Sequence, residues 1–221
     1  MIHCMRCNTA GFTAELVFAV LIIVLCLMIY FRTRGIYNLT RHKGMGYFRN
    51  TFLFFAIAFL SRLVFHLLML SGIVFDFHFP RPLIGPLPLL FTSYFSTIAI
   101  LYLLLSLVWK KVDPKQFLIV SHAVAISVSV LVFLFHSPYV LVIIQLFLIT
   151  FTLVLAYLRV KHSKSFSRLF AIYLLLFVGW LSNIFILGPR WRIPFDMSVV
   201  LYLISLSMFS IIFYKVYRWT R

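Results

Sequence analysis

The stretch "SRLVFHLL", residues 61–68, sets an arginine and a histidine four residues apart in an otherwise apolar run. On a helix that spacing puts Arg62 and His66 on one face, a turn apart. Together they offer a permanent cation with several N–H donors and an imidazole that can donate or accept, which suits a carboxylate or a small anion. A charged side chain near a bilayer centre costs about 2.5–3.5 kcal/mol and is normally met by a partner or a wet cavity. The nearest acidic candidate is Glu15, in "FTAELVFAVLIIVLCLMIYF".

Depth along a helix follows from its rise of about 1.5 Å per residue. Counted from the basic anchors Arg49 and Arg32, Arg62 stands about 20 Å up, and His66 and Glu15 about 26 Å up. Three further polar groups fall at similar height: Gln145 about 21 Å above Arg159, Asn183 about 22 Å above Arg168, and Tyr94 about 24 Å above Lys110. The shared height points to a polar layer in the outer half of a helix bundle. Either Arg62 and Glu15 form a packing salt bridge, or Arg62 snorkels outward unpaired, or the layer is a ligand or anion site.

Other chemistries fit less well. His66 and His136 are the pair that comes nearest to a haem arrangement, and His136 falls at a helix end. "HCMRC" places His3, Cys4 and Cys7 in a Cys-x-x-Cys pattern without the fourth ligand a zinc site needs or the fold a redox pair needs, so no metal or cofactor is expected. Cys26 reads as an apolar filler. Intramembrane hydrolysis would want paired aspartates, a Ser/His pair or a His-x-x-x-His motif inside the spans, and none is present, so no catalytic activity is expected.

The elements that would hold these residues are membrane helices. Of the 221 residues 64% are apolar and 11% charged, too few polar groups to clothe a water-soluble globule. Seven apolar runs of about 20 residues mark spans near 12–31, 50–72, 88–109, 116–136, 139–158, 168–188 and 195–214. The connections carry breakers such as "FPRPLIGPLP", "VDP", "HSP" and "GPRWRIP". The first run is longer than a signal core and lacks a cleavage site, so it reads as a span. The expected fold is all-α: a single polytopic seven-helix membrane bundle.

The 20 Lys and Arg against 4 Asp and Glu give a formal net charge of +16. These bases lie in short gaps between apolar runs, which argues for membrane topology and against nucleic acid. Connections 1–2, 3–4 and 5–6 and the C-terminus hold most of them, whereas the other side holds only Arg6, Arg81, Arg190 and Arg192. The N-terminus is therefore expected outside and the C-terminus in the cytoplasm of a cell-membrane protein. "RTRGIYNLTRHKGMGYFRN" reads as the longest cytoplasmic loop, an orientation signal, a surface for anionic lipid headgroups or a dock for a protein partner. "GPRWRIPFD" suits an interfacial aromatic anchor or a rim for an anion.

A faint internal repeat pairs "IYFRTR" with "AYLRVK" and "AFLSRL" with "GWLSNI", compatible with a 3+1+3 arrangement. Seven spans with an outside N-terminus and the basic stretch "YFRTRG" resemble the seven-helix membrane input modules of prokaryotic sensor proteins, which implies a signalling partner because no output domain is evident here. The topology also looks like small sugar transporters of the 3+1+3 kind, but the proline-glutamine motif of that family is absent. A retinal pigment would need a lysine inside helix 7. The reading that follows is a sensor or receptor-like module binding a small or anionic ligand at Arg62, Glu15, His66, Gln145, Asn183 and Tyr94. A small-solute transporter and a structural subunit of a membrane complex are the alternatives.

Overall fold

A computed structural model describes residues 9–74, 86–161, 167–187 and 195–219. The regular elements among them are seven helices: α1 (Thr9–Thr40), α2 (Lys43–Val74), α3 (Pro86–Val108), α4 (Pro114–Phe135), α5 (Pro138–Lys161), α6 (Ser167–Leu187) and α7 (Phe195–Trp219). They match the seven apolar runs one to one. Six are long and apolar enough to cross a membrane, and α6 contributes a shorter apolar stretch, Phe170–Asn183. Large apolar side chains such as Ile119, Ile143 and Phe147 point outward, as lipid-facing residues do. The chain is a multi-pass membrane protein.

The helix ends follow from local chemistry. Pro114 and Pro138 open α4 and α5, where a missing N–H costs nothing. Asp113 caps α4 by accepting from the Lys115 amide at 3.1 Å, and Ser137 accepts from the Tyr139 amide at 3.3 Å at the start of α5. "HSPY" is indeed a turn: His136 adopts a left-handed conformation, φ 49°, and reverses the chain between α4 and α5.

The main correction concerns "RTRGIYNLTRHKGMGYFRN", read above as a long loop. It is helical except for Arg41 and His42. Apolarity marks where a helix enters lipid, but the helix itself ends only where its hydrogen bonding ends. Here the basic residues find aromatic faces: Arg49 of α2 sits 5.0 Å from the ring centres of both Tyr30 and Tyr37 of α1, and Arg32 lies 4.7 Å over Tyr217 of α7. Gly46 lets α2 approach, since a Cβ there would come within 2.9 Å of the Tyr37 ring. Arg41, with φ 50°, makes the reversal.

Each helix packs on the next, α7 closes the ring against α1, and α3 also packs on α5. The central element is α3, buried on most sides and carrying the buried small polar residues Thr92, Ser93, Ser96 and Thr97. In lipid, helices gain little from hydrophobic exclusion and associate through close packing and hydrogen bonds, which small residues permit. The apolar core runs from Ile22 and Ile29 of α1 through Phe52 and Phe55 of α2 to Leu176 of α6 and Phe209 and Ile212 of α7.

Candidate functional site

At the end of the bundle away from the α1–α2 turn, Arg62 donates through Nη2 to Glu15 Oε1, and His66 Nε2 lies 3.0 Å from the same oxygen. The helix α2 positions Arg62 and His66 one turn apart on the face that meets α1, and the carboxylate comes from α1. All three residues are buried, at 7%, 8% and 9% exposure for Glu15, Arg62 and His66. Burial of a lone guanidinium in lipid is costly, and convergence on one acid offsets that cost. Of the three possibilities open for Arg62, outward snorkelling is excluded.

One turn below, Phe18 of α1 meets Phe59 of α2 edge-on at 6.0 Å, and Tyr202 of α7 rests on Phe18 at 4.6 Å. These rings pack beneath the charged group, and in such surroundings opposite charges attract more strongly than in water.

The other residues of the expected layer are engaged in different helix pairs. Gln145 of α5 donates to Ser96 Oγ of α3. Asn183 of α6 donates to Ser205 Oγ of α7 and to the Gly179 carbonyl, both at 2.8 Å. Tyr94 of α3 bonds His122 Nδ1 of α4 at 2.9 Å. The Gln145 and Asn183 carbonyl oxygens are buried with no hydrogen-bond partner among the described residues. Height along the bundle, which depth counting measures, thus gathered residues that point in different directions around it.

Ser96, Ser205 and His122 are the partners that the sequence reading missed. Each is a polar residue within an apolar run, and that signal was available, but nothing in the spacing paired them. The repeat-matched residues Arg62 and Asn183 also reach in different directions, Arg62 to the preceding helix and Asn183 to the following one.

The two histidines weighed for haem lie apart in role: His66 meets Glu15, whereas His136 sits in the α4–α5 turn, 3.1 Å from the Leu134 carbonyl. Among the described residues no group of three His, Cys, Asp or Glu side chains could hold a metal ion. Cys26 is fully buried within the core. His3, Cys4, Cys7 and the "GPRWRIP" stretch lie outside the described residues.

At the opposite, basic end a cavity of about 330 Å³ opens between α2, α3, α5 and α6, with Lys110 and Arg159 in its wall. In the sequence those residues read only as orientation signals.

No family model matches the chain, and no solved structure does. A protein of Archaeoglobus fulgidus, described as an uncharacterized protein, is 32% identical over 211 residues, which cover 93% of this chain and 92% of the relative. With that identity across nearly the whole of both chains, the chain belongs to the same family as this archaeal protein.

Proposed function

We propose that the protein is a receptor-like module of the cell membrane, without catalytic activity, that binds a small or anionic ligand at Arg62 and passes the bound state to a partner. In this reading it spans the bilayer seven times, with the N-terminus outside and the C-terminus in the cytoplasm, an orientation that the distribution of basic residues supports. The observation that carries the reading is that Arg62, Glu15 and His66 join the same two helices that run unbroken to the basic hairpin at Arg41 and His42. Arg62 stands 21 residues from Arg41, or about 30 Å along α2. A change of partner at one end of these rods is therefore delivered to the other.

The chemistry is partner exchange. Arg62 and His66 meet one carboxylate oxygen, so an incoming anion can take the guanidinium while Glu15 keeps His66. Exchange leaves each buried charge with a hydrogen-bond partner, which lowers its cost. It also loosens α1 from α2 at that level. The hairpin, rich in cations, is the surface offered to a partner or to anionic headgroups.

The test uses the purified full chain in lipid nanodiscs with acetate, glutamate, sulfate and phosphate as probes. It compares the wild type with the double variant Arg62→Leu/Glu15→Leu, in which no charge is orphaned. An anion that raises the melting midpoint of the wild type and not of the double variant supports the reading. If every anion shifts both proteins alike, the ligand site at Arg62 is wrong. Uptake of the same anion into proteoliposomes would instead favour the transporter. Co-purification of a stoichiometric protein whose removal destabilises the chain would favour a structural subunit.

A further inference from the structure

The cavity at the basic end is a separate site, far from Arg62, and its donors can be counted. Lys110 and Arg159 bring the charge, and Trp109 brings an indole N–H. Arg159 donates one N–H to the Leu107 carbonyl near the end of α3, which anchors the guanidinium and leaves its other N–H groups to offer. The hydroxyls are already spent. Ser106 donates to the Leu103 carbonyl at 2.6 Å, so in the 2.6 Å contact between Tyr173 and Ser106 it is Tyr173 that donates. They make a fixed floor beneath the cations.

The wall on the other side is the start of α2. The Met45 and Gly46 amides bond the His42 carbonyl at 2.9 and 3.3 Å, and the positive end of the helix dipole adds potential there. Gly44 makes this close approach possible: a Cβ at that position would lie 2.7 Å from Trp109 Nε1 and 3.1 Å from His42 Cε1. The indole is framed by the His42 ring at 4.9 Å and by the Lys110 ammonium at 5.5 Å. None of the residues lining the cavity is acidic.

A cavity rich in charged N–H donors, without a counter-acid and with an aromatic wall, matches a group that carries several acceptor oxygens and negative charge. We infer that this cavity binds a phosphoryl group, presented either by the headgroup of an anionic lipid or by a soluble phosphorylated compound. Its volume of about 330 Å³ lies at the lower end of small-ligand pockets, which run from about 300 to 1,000 Å³. That is room for a phosphoryl group with a small polar substituent. Arg159 and Lys110 grip the oxygens, Trp109 and the start of α2 orient them, and Met45, Phe48 and Leu107 in the wall admit the less polar part of the ligand.

The experiment has two arms, both on the full chain. In phosphatidylcholine nanodiscs, inorganic phosphate is titrated at constant ionic strength against chloride, following Trp109 fluorescence, with Trp109→Phe identifying the signal. In the second arm, native mass spectrometry compares retention of phosphatidylglycerol and phosphatidylcholine. The deciding variant is Lys110→Gln, whose side chain is exposed and gives up its place over the Trp109 ring. Arg159→Gln is added with a check of folding by circular dichroism.

Loss of one charge-assisted contact is expected to weaken binding about tenfold. Saturable phosphate binding that weakens in Lys110→Gln assigns a soluble phosphorylated ligand. Selective retention of phosphatidylglycerol that the same variant loses assigns a lipid headgroup. Wild-type protein that binds neither probe, or Lys110→Gln that binds both as the wild type does, overturns the inference.

Discussion

Arg62 and Glu15, 47 residues apart in the chain, form a buried ion pair between α2 and α1, and His66 approaches the same carboxylate oxygen. The pair ties together the two longest helices among the described residues, each of 32 residues. Removing one partner leaves a buried charge behind. Arg62→Leu or Glu15→Leu alone is expected to cost about 3 kcal/mol or more of stability, whereas the double change recovers most of that loss. Thermal unfolding of the three variants in one detergent checks this, and a double variant less stable than both singles would contradict it.

The helical hairpin makes two glycines behave oppositely. Gly35 lies within α1 with nothing near enough to touch a new Cβ, so Gly35→Ala is expected to stabilise by about 1 kcal/mol through helix propensity. Gly46→Ala would drive a Cβ into the Tyr37 ring and is expected to destabilise by about 1–2 kcal/mol, with Tyr37 displaced from Arg49. Equilibrium unfolding reads both. Were the segment a loop, Gly35→Ala would bring no gain of this kind.

The turn between α4 and α5 stores strain at His136, which is neither glycine nor asparagine yet has φ 49°. His136→Gly is expected to raise stability by about 0.5–1 kcal/mol, because glycine enters the left-handed region freely. A shift of the melting midpoint upward in the variant is the measurement.

Asn183 and Ser205 connect α6 to α7 through a hydrogen bond of 2.8 Å, both residues being buried. Interhelical bonds in membranes average about 0.6 kcal/mol in double-mutant cycles, and a coupling between about 0.5 and 1.5 kcal/mol is expected for Asn183→Leu combined with Ser205→Ala. A coupling near zero would mean that the two side chains do not cooperate in holding these helices.

Much of the fold was legible in the sequence. Each of the seven apolar runs corresponds to a helix, the prolines at 114 and 138 mark where two of them begin, and Glu15 stood out as the nearest acidic candidate for Arg62, with an unpaired arginine and a ligand site still open. The α1–α2 hairpin was not, because hydropathy locates the lipid boundary and says nothing about a helix that continues beyond it. Arg49 and Arg32, read as basic anchors at the ends of a loop, lie against Tyr rings.

The polar layer shows the same division in sharper form. Composition settled the solvent, since a chain this apolar has to place its helices in lipid, and the constant rise of a helix settled how high each polar residue stands. Neither quantity contains the angle at which a side chain leaves the bundle. That angle depends on which helices neighbour one another, and only tertiary packing sent Gln145 to Ser96, Asn183 to Ser205 and Tyr94 to His122. The cavity at the basic end likewise exists only in three dimensions, because Lys110, Arg159 and the start of α2 are distant in sequence and are brought together by close packing around Gly44.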